Sequence, residues 1–475
     1  MRVLLIYPHS REELIGYGDL GAIAEPLALE YLAGGIRLDG HQARILDLRL
    51  HRDELDNTVL DFQPDVIGVT GYSMHVLRVL EICRRVRELR PCCVTVVGGH
   101  HATIMPEDFF VPEVSFVVSG EGVAPLRRLL RGLEESSGLK DIPGLWSRSA
   151  DASDRFVSGG PQPRLEIDDL PLPDRTLVRQ DREAYFIDWM KPIALLRTSV
   201  GCPYRCSFCS LWKIMEGHYH MREHDRVIEE LRQIPEECVF LVDDEAFVNG
   251  KRMQSLALAI REANIQKRYF AYCRIDTLLR QPELMRLWRS IGLERLFIGL
   301  EAITEVGLKD YNKRLQVAQI EAGLDLAREL GIHVFAGFVV NTNYTPQDFK
   351  RLIRFIEHHK IDYPSFTILT PIPGTQALDN FDEVMERQPN GRPNWDLFDL
   401  QHPVTKTQLP HEEFMQEYKR LYVTFGKYYQ PHHPYLPNPD VADAAVPNRG
   451  TSVQRTAEPV PVRAAASRNE NAAAS

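Results

Sequence analysis

Short apolar runs recur along this chain, each closed by small or polar residues and followed by a stretch of helical spacing. That alternation constrains the fold more than any other feature, because a helix between two strands returns the chain to lay the second strand parallel to the first. The first series of runs is Val3 to Tyr7, Ala43 to Leu48, Val66 to Thr70, Val94 to Val97 and Phe116 to Val118. Between the first two, Pro26 suits a first helical turn, Leu29, Leu32, Ala33 and Ile36 share one helical face, and Gly40 ends it. Residues 1–150 are therefore expected to form an α/β domain, a doubly wound parallel sheet with helices on both faces. Its strands end in Pro8-His9-Ser10, Thr70-Gly71-Tyr72-Ser73, Gly98-Gly99-His100-His101 and Ser119-Gly120-Glu121-Gly122. In open sheets of this kind ligands bind beyond those carboxyl ends.

From Asp151 the pattern dissolves into Ser, Gly, Pro and Asp, so residues 151–190 are expected to be a linker. A second series then runs Ala194 to Ser199, Val239 to Val242, Phe270 to Arg274, Arg295 to Leu300, Val334 to Val340 and Phe366 to Leu369. Six such strands suit a (β/α)6 partial TIM barrel over residues 191–385, with functional groups at the strands' C-terminal ends. Leu409 to Tyr429 has helical spacing, giving a small helical C-terminal part over 386–435. Residues 436–475 are rich in Pro, Ala, Asn, Ser and Arg, and a disordered tail is expected there.

A formal net charge of −10 argues against a general nucleic-acid binder, which needs clustered Lys and Arg. No apolar run approaches the roughly 18 residues of a membrane-spanning helix. The first residues read as a buried strand and not as a signal peptide, so a cytoplasmic protein is expected. Of eight cysteines, Cys83, Cys92, Cys93, Cys238 and Cys273 are scattered and read as core fillers. The other three fall in Gly201-Cys202-Pro203-Tyr204-Arg205-Cys206-Ser207-Phe208-Cys209, just after the first strand of the second series. A zinc site normally takes four protein ligands, often from paired C-x2-C units, and a conventional cubane takes four cysteines. Three thiolates in C-x3-C-x2-C spacing leave one iron of a cluster open to a small chelating molecule.

This loop resembles the signature of the radical S-adenosylmethionine (SAM) superfamily, including the leading Gly-Cys-Pro and the aromatic Phe208. The resemblance implies a [4Fe–4S] cluster on Cys202, Cys206 and Cys209, with SAM on the open iron. Reductive cleavage of SAM would then give a 5′-deoxyadenosyl radical. It also implies cofactor contacts from Phe208, from Asp244 or Glu245 in Asp243-Asp244-Glu245 toward the SAM ammonium, from Arg274 toward its carboxylate, and from Glu301 in Gly299-Leu300-Glu301. Structural salt bridges are the competing roles for Arg274 and Glu301. Pro371-Ile372-Pro373-Gly374-Thr375 matches the family's P-x-P-G-T, whereas Gly337-Phe338-Val339-Val340-Asn341-Thr342 departs from its usual G-x-P-x-E-T.

The N-terminal domain resembles the Rossmann-like cobalamin-binding domain of one radical SAM subgroup, the class B methyltransferase type. Glu25-Pro26-Leu27, Gly40-His41, Val97-Gly98-Gly99-His100-His101 and Gly120-Glu121-Gly122 carry that resemblance. It implies cobalamin contacts from Ser73, Gly98, Gly99, His100, Gly120 and Glu121. The D-x-H-x-x-G motif that supplies a cobalt ligand elsewhere is missing, so no lower axial ligand is named. Asn394-Trp395-Asp396-Leu397-Phe398-Asp399, Gln401-His402-Pro403-Val404 and the Asp243-Asp244-Glu245 segment are similar to hopanoid C-3 methylases. The expected function is radical methylation of an unactivated carbon on a small molecule or lipid, a hopanoid-like triterpenoid included. The alternative is a cobalamin-dependent cyclisation, rearrangement or oxidation without methyl transfer. An external electron donor of flavodoxin or ferredoxin type is expected, and no other catalytic residue is legible.

Overall fold

A computed structural model describes residues 1–10, 22–136, 138–149, 155–187, 190–375 and 383–425. The expected tail at 436–475 lies outside these residues, as does the end of the C-terminal helical part from 426.

The first sheet contains β1 (Arg2–Tyr7), β2 (Gln42–Asp47), β3 (Val66–Thr70), β4 (Val94–Gly98), β5 (Phe116–Val118), β6 (Leu145–Arg148) and β7 (Phe156–Ser158). Their spatial order is β2-β1-β3-β4-β5-β6-β7. The first five are parallel, and β6 and β7 add as antiparallel edge strands. Order therefore reverses between β1 and β3, which opens a crevice at their carboxyl ends. Buried apolar side chains cover both faces, with Leu4, Ile67, Val69 and Val97 on one and Val3, Leu5, Val66 and Val96 on the other.

The second sheet contains β8 (Ile193–Leu196), β9 (Cys238–Leu241), β10 (Arg268–Tyr272), β11 (Leu293–Glu301), β12 (His333–Val340) and β13 (Tyr363–Ile368), parallel and in chain order. β8 and β13 are not paired with each other, so this is a partial barrel. Aromatic rings fill its lumen: Phe240 on Phe270 at 4.4 Å, Tyr272 on Phe297 at 5.1 Å and Phe297 on Phe335 at 5.3 Å between ring centres.

Four expectations change. Part of the expected linker belongs to the first sheet, since Phe156–Ser158 is its last strand; the Ser/Gly-rich composition hid a short strand that an edge position tolerates. The C-terminal part is α-helical only over His411–Phe425 among the described residues, with a single 3-10 turn at Trp395–Leu397, while Val384, Trp395, Phe398 and Val404 pack into the first sheet's core. Cys92 is exposed and is not a core filler. The first barrel strand also ends early, at Leu196, and Ser199–Val200 pairs antiparallel with His220–Met221.

The stretch from 167 to 187 is packed between the two sheets' layers. Ile167, Leu170, Ile187 and Met190 share an apolar cluster with Leu27 and Tyr31 from one side and Leu195 and Phe240 from the other. Beside it lies a buried ionic network. Arg175 donates to Glu230 at 2.7 Å and to the Leu195 carbonyl at 2.6 Å. Arg182 donates to Glu236 at 2.5 Å and pairs with Glu25, and Arg222 donates to Glu230 at 2.5 Å. Glu25 also accepts from the Leu195 amide at 2.5 Å.

Candidate functional site

The cysteine loop leaves the carboxyl end of the barrel's first strand and is tied down by backbone groups that need partners. Gly201 has φ +94°, and a Cβ there would sit 2.1 Å from the His218 carbonyl oxygen, so only glycine fits. Its amide donates to Asp244 Oδ2 at 2.7 Å. The Ser207 amide donates to the Tyr311 carbonyl at 3.1 Å, and Asn312 Nδ2 donates to the Arg205 carbonyl at 2.7 Å. Cys206 is buried, and Cys202 and Cys209 are half-buried. Burial pushes Cys202 up to about 12 and Cys209 up to about 11. A cationic iron core is the kind of partner that would ionise such thiols.

Among the described residues, no three His, Cys, Asp or Glu side chains could hold a single metal ion. Three thiolates on one loop fit a cluster with one open iron better than a zinc site, which takes four protein ligands.

The acidic row after β9 serves the loop more than a ligand. Asp243 accepts from the Thr198 amide at 2.6 Å, the Ser199 amide at 2.8 Å and the Thr198 hydroxyl. Glu245 accepts from the Arg274 amide at 2.7 Å, and burial raises it to about 7. Asp244 alone of the three keeps partial exposure, and burial raises its pKa. Arg274 is not in a strand; it precedes the helix Ile275–Arg280, and its guanidinium binds Asp276 Oδ1 at 2.9 Å and the Lys313 carbonyl at 2.8 Å. Glu301 sits at φ +64° beside a register shift and pairs with Lys313 at 2.9 Å. The preceding glycine is explained by this fold-back, since a Cβ on Gly299 would lie 2.1 Å from Glu301 Oε1. Phe208 packs edge-on against Tyr311 at 5.6 Å.

On the first sheet, Ser73 is spent within the protein: its hydroxyl lies 2.9 Å from His101 Nδ1, whose Nε2 meets Asp108 at 2.9 Å. The Trp395 ring covers His101 at 4.7 Å. Gly99 has φ +100°, and a Cβ there would meet Thr70 Oγ1 at 2.5 Å; Gly98 continues β4 just before it. Gly120 and Gly144 both make room for Gln162, which accepts from the Glu121 amide at 2.9 Å and donates to the Glu121 carbonyl at 2.8 Å. Glu121 in turn accepts from the Val123 amide at 2.8 Å, at the start of the next helix. Gln162→Ala is expected to lower the unfolding free energy by about 1–2 kcal/mol, through loss of both bonds. Urea denaturation would check it, and an unchanged midpoint would show that the loop does not depend on Gln162.

His100 joins the two halves. It is half-buried, its Nε2 lies 3.4 Å from Ser210 Oγ, one residue past Cys209, and burial holds it down to about 4, so it is neutral at pH 7. Tyr72 stacks toward it at 5.6 Å. Tyr72 keeps 54 % of its surface exposed, and desolvation raises its pKa. Arg197 acts electrostatically on Tyr72, Glu121 and Asp244, and Asp244 and Tyr72 act on Tyr272. Tyr72, Arg197 and Tyr272 were not singled out from the sequence. Tyr72 lies inside a strand-end motif and could have been; Arg197 and Tyr272 gain meaning only from where the second sheet meets the first.

Comparison with known proteins agrees with this layout. The radical SAM superfamily matches residues 196–356 and the B12 binding domain matches residues 15–130. A hopanoid C-3 methylase from Methylococcus capsulatus is 32 % identical over 427 residues, covering 88 % of this chain and 78 % of that protein. An anaerobic magnesium-protoporphyrin IX monomethyl ester cyclase from Rubrivivax gelatinosus is 24 % identical over 400 residues, covering 81 % and 71 %. The radical SAM methyltransferase TsrM from Kitasatospora setae shares the fold at a TM-score of 0.62 and 20 % identity, over 79 % of this chain and 73 % of that one. The cobalamin-dependent SAM radical enzyme OxsB does so at 0.62 and 19 % identity, over 88 % and 61 %. The chain belongs to the radical SAM superfamily, to the enzymes in it that carry a B12-binding domain and use a [4Fe–4S] cluster, SAM and cobalamin.

Proposed function

We propose that this enzyme methylates an unactivated carbon of a polycyclic triterpenoid lipid, with Cys202, Cys206 and Cys209 holding the cluster. The observation that carries the substrate class is the 32 % identity to a hopanoid C-3 methylase, which runs through 88 % of the chain. The Trp395 segment adds less than its similarity suggests, because it braces the first sheet under His101. When bound, the cluster and SAM supply a 5′-deoxyadenosyl radical and cobalamin supplies the methyl group. The chain's own part is to hold and enclose. The carboxyl ends of β3, β4 and β5, which carry Tyr72, His100 and Glu121, take the corrin side, and Asp244 with Phe208 takes the SAM side. Gly98, Gly99, Gly120 and Ser73 set the loops that shape the corrin side, and Glu245, Arg274 and Glu301 set those around SAM. The aromatic stack under Tyr272 keeps water from the radical chemistry on the barrel side. No described helix is long and apolar enough to cross a membrane. We place the enzyme in the cytoplasm with a flavodoxin- or ferredoxin-type electron donor.

The test is anaerobic incubation of the reconstituted holoenzyme with SAM, a strong reductant and a pentacyclic triterpenoid, read by mass spectrometry. S-adenosylhomocysteine, 5′-deoxyadenosine and a lipid heavier by one methylene are expected to rise together. Deoxyadenosine with an altered but unmethylated product would replace methyl transfer with the cyclase type of reaction, which the magnesium-protoporphyrin relatives represent.

A further inference from the structure

Arg274 has a place in this site that SAM binding does not explain. It is 7 % exposed, and each of its guanidinium nitrogens is engaged within the protein. Nε donates to Asp276 Oδ1 at 2.9 Å, Nη2 to the Lys313 carbonyl at 2.8 Å and Nη1 to Cys206 Sγ at 3.9 Å. Its face lies on the Tyr204 ring, 4.0 Å from the centroid. The Tyr204 hydroxyl is held in turn by Arg280 Nη2 at 3.1 Å, and Arg280 Nη1 takes the second oxygen of Asp276 at 2.6 Å. Two guanidiniums thus share one carboxylate, and Arg274 turns its remaining nitrogen to Cys206, the most buried of the three cysteines.

We infer that Arg274 is a positioning residue that raises the reduction potential of the cluster through its contact with Cys206. The inference rests on the reading that Cys202, Cys206 and Cys209 hold the cluster. Accepting one electron from an external donor makes a three-thiolate cluster more negative. A fixed cation at a ligand sulfur stabilises that reduced state, and hydrogen bonds to the sulfurs of such clusters act in the same direction. The low dielectric around buried Cys206 strengthens the effect. Lys313 belongs to the same neighbourhood, but it is paired with Glu301 and the thiol it acts on is Cys209.

The experiment is a mediator-dye titration of reconstituted full-length protein without SAM, with the reduced cluster quantified by electron paramagnetic resonance. Arg274→Gln is expected to hold wild-type iron and show a ratio of reduced to oxidised cluster about tenfold lower at a fixed poise, which is 59 mV for a one-electron couple. Arg274→Lys, which restores the charge, is expected to recover part of the loss. An unchanged potential in Arg274→Gln, or no recovery in Arg274→Lys, overturns the inference and leaves Arg274 as a clamp on the loop. Should Arg274→Gln lose its iron, wild-type protein labelled with 15N-arginine decides: hyperfine coupling of the reduced cluster to a guanidinium nitrogen supports the contact, and its absence overturns it. Cys206→Ala run alongside separates the two readings, because retained iron there removes the cluster assignment itself.

Discussion

Cys206→Ala protein is expected to emerge from anaerobic reconstitution without its cluster and to form no 5′-deoxyadenosine above a no-enzyme control. The effect should be this large because a three-cysteine site has no spare ligand. Neither Cys238 nor Cys273 can substitute. Cys238 opens strand β9, at the far end of the barrel from the loop, and the Cys273 thiol is buried and donates to the Arg274 carbonyl at 3.2 Å. The fold should survive, since the loop is anchored by Gly201, Ser207 and Asn312 and not by the thiols. Iron analysis with the visible charge-transfer band checks the first statement, mass spectrometry of 5′-deoxyadenosine the second and far-ultraviolet circular dichroism the third. Cys273→Ala is the matched control and should retain iron. Full iron and an unchanged spectrum in Cys206→Ala would sink the assignment.

How much of this was legible depends on whether the relevant contacts are local in sequence. The strands at Val3, Val66, Val94 and Val334 announce themselves because parallel strands buried on both faces read as continuous apolar runs. The cysteine loop is legible because its three cysteines, Cys202, Cys206 and Cys209, lie close together in sequence. The Asp243-Asp244-Glu245 row has a structural part that the sequence does not announce. Three carboxylates suggest a cation site, but the turns at Thr198 to Gly201 and at Arg274 expose amides that must find acceptors, and the acids fill that need. Strand-end glycines were read as room for a cofactor, whereas Gly99 and Gly120 make room for Thr70 and Gln162. The grouping of Tyr72, Arg197 and Tyr272 was invisible for a different reason: its members come from three distant strand ends, and nothing in the spacing announces their convergence.

The junction between the two sheets makes the second large prediction. Its network holds four carboxyl groups, Glu25, Glu30, Glu230 and Glu236, against three guanidiniums, Arg175, Arg182 and Arg222. The count balances if one carboxyl is protonated, and Glu30 is the group whose surroundings favour that. Burial first, then the neighbouring Glu25 charge, raises its pKa well above the usual carboxylate range, and neither of its oxygens accepts a hydrogen bond. Arg175→Ala removes the cation that joins Glu25, Glu30 and Glu230 and leaves buried charge uncompensated. A loss of about 3–5 kcal/mol is expected, the usual cost of breaking a buried ionic group from one side. Glu30→Gln should cost far less, because an amide resembles the protonated acid already present. The two variants also differ in pH response. A carboxyl whose pKa is raised on folding lends its full stability below the unfolded value and loses it as pH rises through the folded value. Wild-type protein should therefore lose stability toward alkaline pH through Glu30, and Glu30→Gln should flatten that decline. Guanidinium denaturation of the apoprotein at several pH values reads both effects. If Arg175→Ala matched wild type within about 0.5 kcal/mol, the typical range of an inert surface change, the junction would be held by its apolar cluster alone. If Glu30→Gln proved as damaging as Arg175→Ala, Glu30 would be ionised in the folded protein and the charge balance would have to be drawn differently.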